Sequence, residues 1–391
     1  MADLVFLGIV FFVGLRVVRE GCKAIALDRT ILWYVLLAGL WIVGLALSAV
    51  HMQHQTVYLL ELSGICYGVA IGGLVAIVGG RSEEHLAWLL RHAGLAAAVV
   101  FVVGLIGVVF GFLVTKHSPF YCATVKLVAT FRNPNQMATF SLVLLAFAWE
   151  AVWAHRDRLR VLFGFIVFSL PWMIMETCSR SGIAVAGVGG AAYFAHHLRK
   201  REWEPVYVLC FGLLVAAAMV AGVKLFKLGL PGSKPVMTLL NGVFRDGEIV
   251  DSFRAENWQL GFQLFREHPL FGVGLGDVAA TWEYEIHNSY IALLAETGIV
   301  GFSTFLALIV YVLRTAWRNI GLVRRWRSEW TWVARGAFVA FLLELGFGIM
   351  HIVHRSRHLW FLIGLILAMY VAGRAAEARK GEPRVRDLRP S

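Results

Sequence analysis

Apolar residues in this chain come in long runs broken by short polar connections. A helix crossing a bilayer needs about 20 mostly apolar residues. Read at that length, the pattern predicts eleven spans, at 4–18, 31–50, 62–78, 93–114, 137–154, 159–177, 182–196, 206–228, 290–316, 333–352 and 360–372. The first is short and reads as a weak or re-entrant span. It begins Met-Ala-Asp without a charged leader, so it is not expected to be a cleaved signal peptide. No segment shows the ten-residue alternation of a membrane β-barrel strand. The expected fold is an all-α polytopic integral membrane protein.

The longest polar interruption, 229–286, reads as a small helical subdomain. Within it, Phe253, Leu260, Phe262, Leu264 and Phe265 leave one broad apolar side from Ser252 to His268. Pro269 and the Gly272-Val273-Gly274-Leu275-Gly276 run should then end that helix. The expected organisation is therefore helices over 1–228, the subdomain at 229–286, three more helices over 287–373 and a basic tail at 374–391.

Composition supports the membrane reading: 59% of the 391 residues are hydrophobic and 16% are charged, against about 45–50% and 25% in soluble domains. The net charge of +11 would suggest nucleic acid in a soluble chain. Here 24 of the 36 Lys and Arg fall on alternate connections and the tail. By the positive-inside rule that face is cytoplasmic. The C-terminus is then expected inside and the 229–286 subdomain outside, and no nucleic-acid partner is expected. Of five Cys, Cys122 and Cys178 fall on the outer side, where a disulfide is permitted; spacing does not decide whether they pair.

Four polar clusters sit at predicted outer helix ends. Arg132-Asn133-Pro134-Asn135-Gln136 opens one span; Asn133 and Pro134 suit a cap and first turn, which leaves Arg132 and Gln136 as candidates for anion or sugar contacts. Ser179-Arg180-Ser181-Gly182 opens another. A Ser cap there would put Arg180 beside unpaired N–H groups, a combination suited to anions, although a single Arg at an interface also snorkels. Arg254 and Trp258 share a helix face, suited to a phosphate and a sugar ring or to docking in the interface. His287-Asn288-Ser289-Tyr290 opens a span that carries Glu296 two turns on; His287 has the chemistry of a general base. With several Arg and no Asp-x-Asp pair, the pattern suits an anionic substrate, with no metal or cofactor expected.

These residues, in this order, resemble the O-antigen ligase/polymerase superfamily. The likeness is carried by Ser179–Gly182, Arg254, Phe265-Arg266-Glu267-His268-Pro269-Leu270-Phe271-Gly272-Val273-Gly274, His287–Tyr290 and Glu296-Thr297-Gly298, with Asn133–Gln136 as a further motif. The resemblance implies a metal-independent, inverting glycosyltransferase of the GT-C type in the bacterial inner membrane. Its donor would be a glycan on undecaprenyl pyrophosphate, met at the periplasmic face. Arg180 and Arg254 would hold the pyrophosphate and His287 would be the general base; Arg132, Gln136, Trp258, Asn288 and Tyr290 are further substrate contacts by similarity. About twelve spans are usual in the family, against eleven read here.

An O-antigen ligase, with lipid A–core oligosaccharide as acceptor, is the leading expectation. A polymerase joining lipid-linked repeat units is the alternative. A transporter of lipid-linked or anionic substrates is the alternative of another class. One more outer cluster, His351, His354, Arg355, Arg357 and His358, offers either acceptor-phosphate contacts, with His354, Arg355 and Arg357 as candidates, or a plain interfacial turn.

Overall fold

The computed structural model describes residues 28–113, 120–122, 126–131, 133–199, 244–245, 248–249, 252–282 and 285–381. Its helices are α1 (Arg29–Leu47), α2 (Gln55–Gly80), α3 (Glu83–Leu113), α4 (Pro134–Ala154), α5 (Arg158–Glu176), α6 (Arg180–Arg199), α7 (Ser252–Glu267), α8 (Asp277–Trp282), α9 (Ser289–Trp326), α10 (Thr331–Phe347) and α11 (Arg357–Gly381). Among the described residues, strands are confined to two antiparallel ladders of two residues per strand.

Eight of the described helical segments are long and apolar enough to cross a membrane. They coincide with eight of the eleven expected spans. The segment 182–196 lies in α6, which is not among the eight, and the expected spans at 4–18 and 206–228 lie outside the described residues. The chain is thus an all-α polytopic membrane protein.

Lipid and protein contact the same helices on different sides. Leu32, Trp33, Leu40 and Val43 of α1 are about half exposed, while Tyr34, Ala38, Trp41 and Leu45 are buried. Both sides are apolar because both neighbours are. With lipid as solvent, close packing has to hold the helices together. At the centre, Trp41 stacks on Trp360 with ring centroids 5.5 Å apart and meets Phe305 at 5.0 Å. Helices α2 and α11 touch backbone to backbone: a Cβ on Gly364 would strike the carbonyl of Gly72, and one on Gly68 would strike the Trp360 indole.

The two ends of the bundle are chemically distinct. At one end Arg327 pairs with Glu83 and Glu329, Arg325 with Glu377 at 2.8 Å, and Arg335 with Glu150 at 3.8 Å. These are the connections that the cation count assigns to one face. At the other end lie the turns before α2, before α9 and between α10 and α11, tied together as described next.

Candidate functional site

The site end is organised by a break in α9. Gly298 takes φ 61° and ψ −168° inside an otherwise continuous 38-residue helix. The break leaves carbonyls and N–H groups without helical partners, which is costly where water is absent. The loop after α7 supplies them. Val273 N donates to Ala295 O and Gly274 N to Glu296 O, both at 3.0 Å; Ile299 N donates to Pro269 O at 2.8 Å and Val300 N to Leu270 O at 3.3 Å. The backbones approach so closely that a Cβ on Gly272 would overlap Glu296, and one on Gly298 would overlap Leu270. The His268–Gly274 and Glu296–Gly298 motifs are two halves of one wedge.

The wedge is anchored sideways. Asp277 at the start of α8 accepts from His54 N at 3.0 Å and from Gln53 N. His51 Nδ1 lies 3.0 Å from Gly272 O, and its ring is 4.6 Å from that of His268. As expected, α7 stops at Glu267, before Pro269. It packs Leu264 into a cluster with Val278, Ile286, Ile291 and Ala295, and Trp258 lies against the same cluster. Its indole Nε1 is buried, so Trp258 docks α7 onto the protein and not into the lipid interface.

Each residue of His287–Tyr290 has a distinct place. Asn288 caps α9, its side chain accepting from Tyr290 N at 2.9 Å and Ile291 N at 3.0 Å. Ser289 N donates to Gly348 O, its hydroxyl donates to His351 O, and Val353 N donates back to that hydroxyl, all at 2.7–2.8 Å. Tyr290 donates to Leu345 O at 2.7 Å. Caps and staples of this kind fix the helix start. His287 is left partly exposed, its ring 5.4 Å from that of His351.

The Ser179–Gly182 turn is built in the same manner. Cys178 takes a left-handed φ of 54°, and the Ser179 hydroxyl caps α6 by accepting from Gly182 N at 3.2 Å. Ser179 and Ser181 are buried, while Arg180 between them is half-buried. One turn on, Ile183 packs against the cluster of Leu142, Ile174, Phe347 and Val353. Phe347 in turn stacks on His351, so the helix starts bearing Arg180 and His287 border one apolar cluster.

At the mouth of α4, Asn133 caps the helix by accepting from Asn135 N at 2.8 Å, with Pro134 in its first turn. Gln136 is exposed there. Arg132 and the side chain of Arg254 lie outside the described residues.

The α10–α11 turn divides by role. Arg355 faces three carboxylates: Glu61 at 2.9 Å, Glu296 at 3.4 Å and Glu285 at 3.7 Å. His354 is fully buried, with neither ring nitrogen hydrogen-bonded among the described residues. Burial, with the Arg355 charge beside it, holds its pKa well below the usual imidazole value. These surroundings give Arg355 and His354 structural partners within the fold. Arg357 is exposed. Arg355→Ala should destabilise the fold by ~3–5 kcal/mol, because it strands the buried Glu296 carboxyl. Thermal unfolding in detergent would check this. A melting temperature equal to wild type would contradict the structural role, and adding Glu296→Gln should recover part of the loss.

Among the described residues, no group of three or more His, Cys, Asp or Glu is placed to hold a metal ion. What the site end offers is an accessible imidazole, an Arg at a capped helix start and a rigid frame around both.

The family model described as O-antigen ligase matches residues 163–306. Over those residues the chain is similar to that family. The match runs from α5 into α9 and takes in the Arg180 turn, the wedge loop and the His287 helix start. No curated protein matches this chain. Five solved chains do. One comes from work on "Structural coordination of polymerization and crosslinking by a peptidoglycan synthase complex". It is 17% identical, covers 92% of this chain and 100% of its own, and superposes with a TM-score of 0.45. A likeness of that degree carries no argument about activity.

Proposed function

We propose that this protein is an O-antigen ligase. It takes a glycan from undecaprenyl pyrophosphate and joins it to a hydroxyl of the lipid A–core oligosaccharide at the periplasmic face of the inner membrane. The observation that supports this best is the motif His287–Tyr290, in which three residues fix the helix start and the imidazole stays accessible. His287 accepts the proton of the acceptor hydroxyl. The acceptor oxygen attacks the anomeric carbon from the face opposite the pyrophosphate, and the bond from that carbon to the pyrophosphate oxygen breaks. Undecaprenyl pyrophosphate leaves with the bonding pair, and the anomeric configuration inverts. Arg180 and Arg254 stabilise the charge gathering on the leaving group. The charge sorting of the two bundle ends agrees with an outward-facing site.

The test is transfer by purified protein, supplied with glycan on undecaprenyl pyrophosphate and with lipid A–core. The expected product is lipid A–core carrying the long glycan. Donor-linked chains that lengthen without reaching lipid A would make the protein a polymerase, and no covalent transfer with either acceptor would remove the glycosyltransferase reading.

A further inference from the structure

Helix α9 is longer than a bilayer requires. Its 38 residues run about 57 Å at about 1.5 Å each, against a hydrocarbon layer of about 30 Å. Charge sets where that layer falls along it. No charged residue lies between Glu296 and Arg314. At the basic end Arg314 and Arg318 are exposed beside Trp317, which is itself 66% exposed; Arg and Trp gather in this way at a membrane boundary. Counting back about 20 residues from Arg314 puts the other boundary near residue 294. The break at Gly298 then lies inside the hydrocarbon layer, about one turn from its edge.

The outward side of α9 is apolar at that depth: Ile299, Leu306 and Val310 are exposed. Leu270, at the tip of the loop after α7, continues the same stripe. It is 59% exposed, and its backbone lies against Gly298, next to Ile299. Pro269 beside it is exposed as well. The tip meets a demand that lipid makes and water does not. Pro269 has no N–H, and the carbonyls of Pro269 and Leu270 accept from Ile299 N and Val300 N. The helix behind the tip stands clear of the layer. Gly261 of α7 packs at the level of Ile286 and Ile291, and Arg266 and Glu267 near its end are exposed.

We propose that Pro269 and Leu270 are inserted into the bilayer and dock against the acyl chains of the leaflet at the site end. The docking requires only the membrane-spanning fold, whatever reaction the protein performs. The polar interruption that carries α7 therefore does not lie wholly in water. It ends in a short re-entrant tip, which holds α7 at a fixed height over the bilayer.

The experiment is nitroxide accessibility in nanodiscs of phosphatidylethanolamine and phosphatidylglycerol. A single label is placed at Leu270→Cys, at Leu306→Cys on the lipid stripe or at Gln259→Cys on the exposed side of α7. Each substitution is made in the full chain with its five native Cys replaced by Ser. Collisions are measured with oxygen, which concentrates in hydrocarbon, and with a water-soluble nickel chelate. The oxygen-to-nickel ratio at 270 should match that at 306 and exceed that at 259 several-fold. A ratio equal to that at 259 would put the tip in water, and low collision rates with both reagents would mean that protein covers it; either result overturns the docking. If the Cys-free chain does not fold, hydroxyl-radical footprinting of the wild-type protein in the same nanodiscs decides. Leu270 should then stay as unoxidised as Leu306, and oxidation of Leu270 overturns the docking.

Discussion

His287→Ala is expected to lower the transfer rate by about 10²–10⁴-fold, the usual range for removing a general base. The fold should survive, because the frame around His287 is made by other residues. Asn288 supplies the cap, Ser289 the clamp to the α10–α11 turn and Tyr290 the bond to Leu345. None of these passes through the imidazole. The informative comparison is therefore with Ser289→Ala, which removes two hydrogen bonds from a fully buried hydroxyl and should lower the melting temperature. Turnover and thermal unfolding should separate the two substitutions: His287→Ala loses rate at unchanged stability, and Ser289→Ala loses stability first. Retention of most of the wild-type rate in folded His287→Ala would remove the base from the mechanism.

Gly298→Ala should show the largest loss of stability. The backbone there, at φ 61° and ψ −168°, is one that only glycine adopts without strain. The added methyl would overlap the Leu270 backbone. Together, strain and overpacking cost ~2–6 kcal/mol, a large part of the stability of an ordinary domain. The loop and both halves of α9 are hydrogen-bonded across the break, so the clash has nowhere to relax. Gly39→Ala is the control, since a Cβ there would meet nothing within 4 Å. Yield of monodisperse protein and melting temperature should fall for Gly298→Ala and hold for Gly39→Ala. Equal behaviour of the two would mean that the wedge is not rigid.

Spans were legible in the chain because lipid demands one simple property over about 20 residues. Caps at Asn133 and Ser179 were legible too, since those side chains serve the nearest N–H groups. The wedge was not. The Gly272–Gly276 run reads locally as a helix terminator, and it is one. Its partner is the break at Gly298, which follows Glu296 and Thr297 within a predicted span and carries no proline to mark an interruption. Long-range pairing of that kind has no periodicity to betray it. Trp258 was open between substrate and the membrane interface, and the protein cluster it lies against could not be read from the chain. The basic cluster after α10 hides its partners for a related reason: Glu61, which pairs with Arg355, is far away in the chain.

The carboxylates around Arg355 have an effect beyond anchoring. Glu61, Glu285 and Glu296 meet a single guanidinium, so the balance there is negative even with one of the three carboxyls neutral. Glu285 is two residues from His287. One flank of the imidazole is therefore electronegative, while Arg180 makes the start of α6 electropositive. An anion is repelled by the first and attracted by the second. The site end is thereby polarised, negative around Arg355 and positive at the Arg180 helix start.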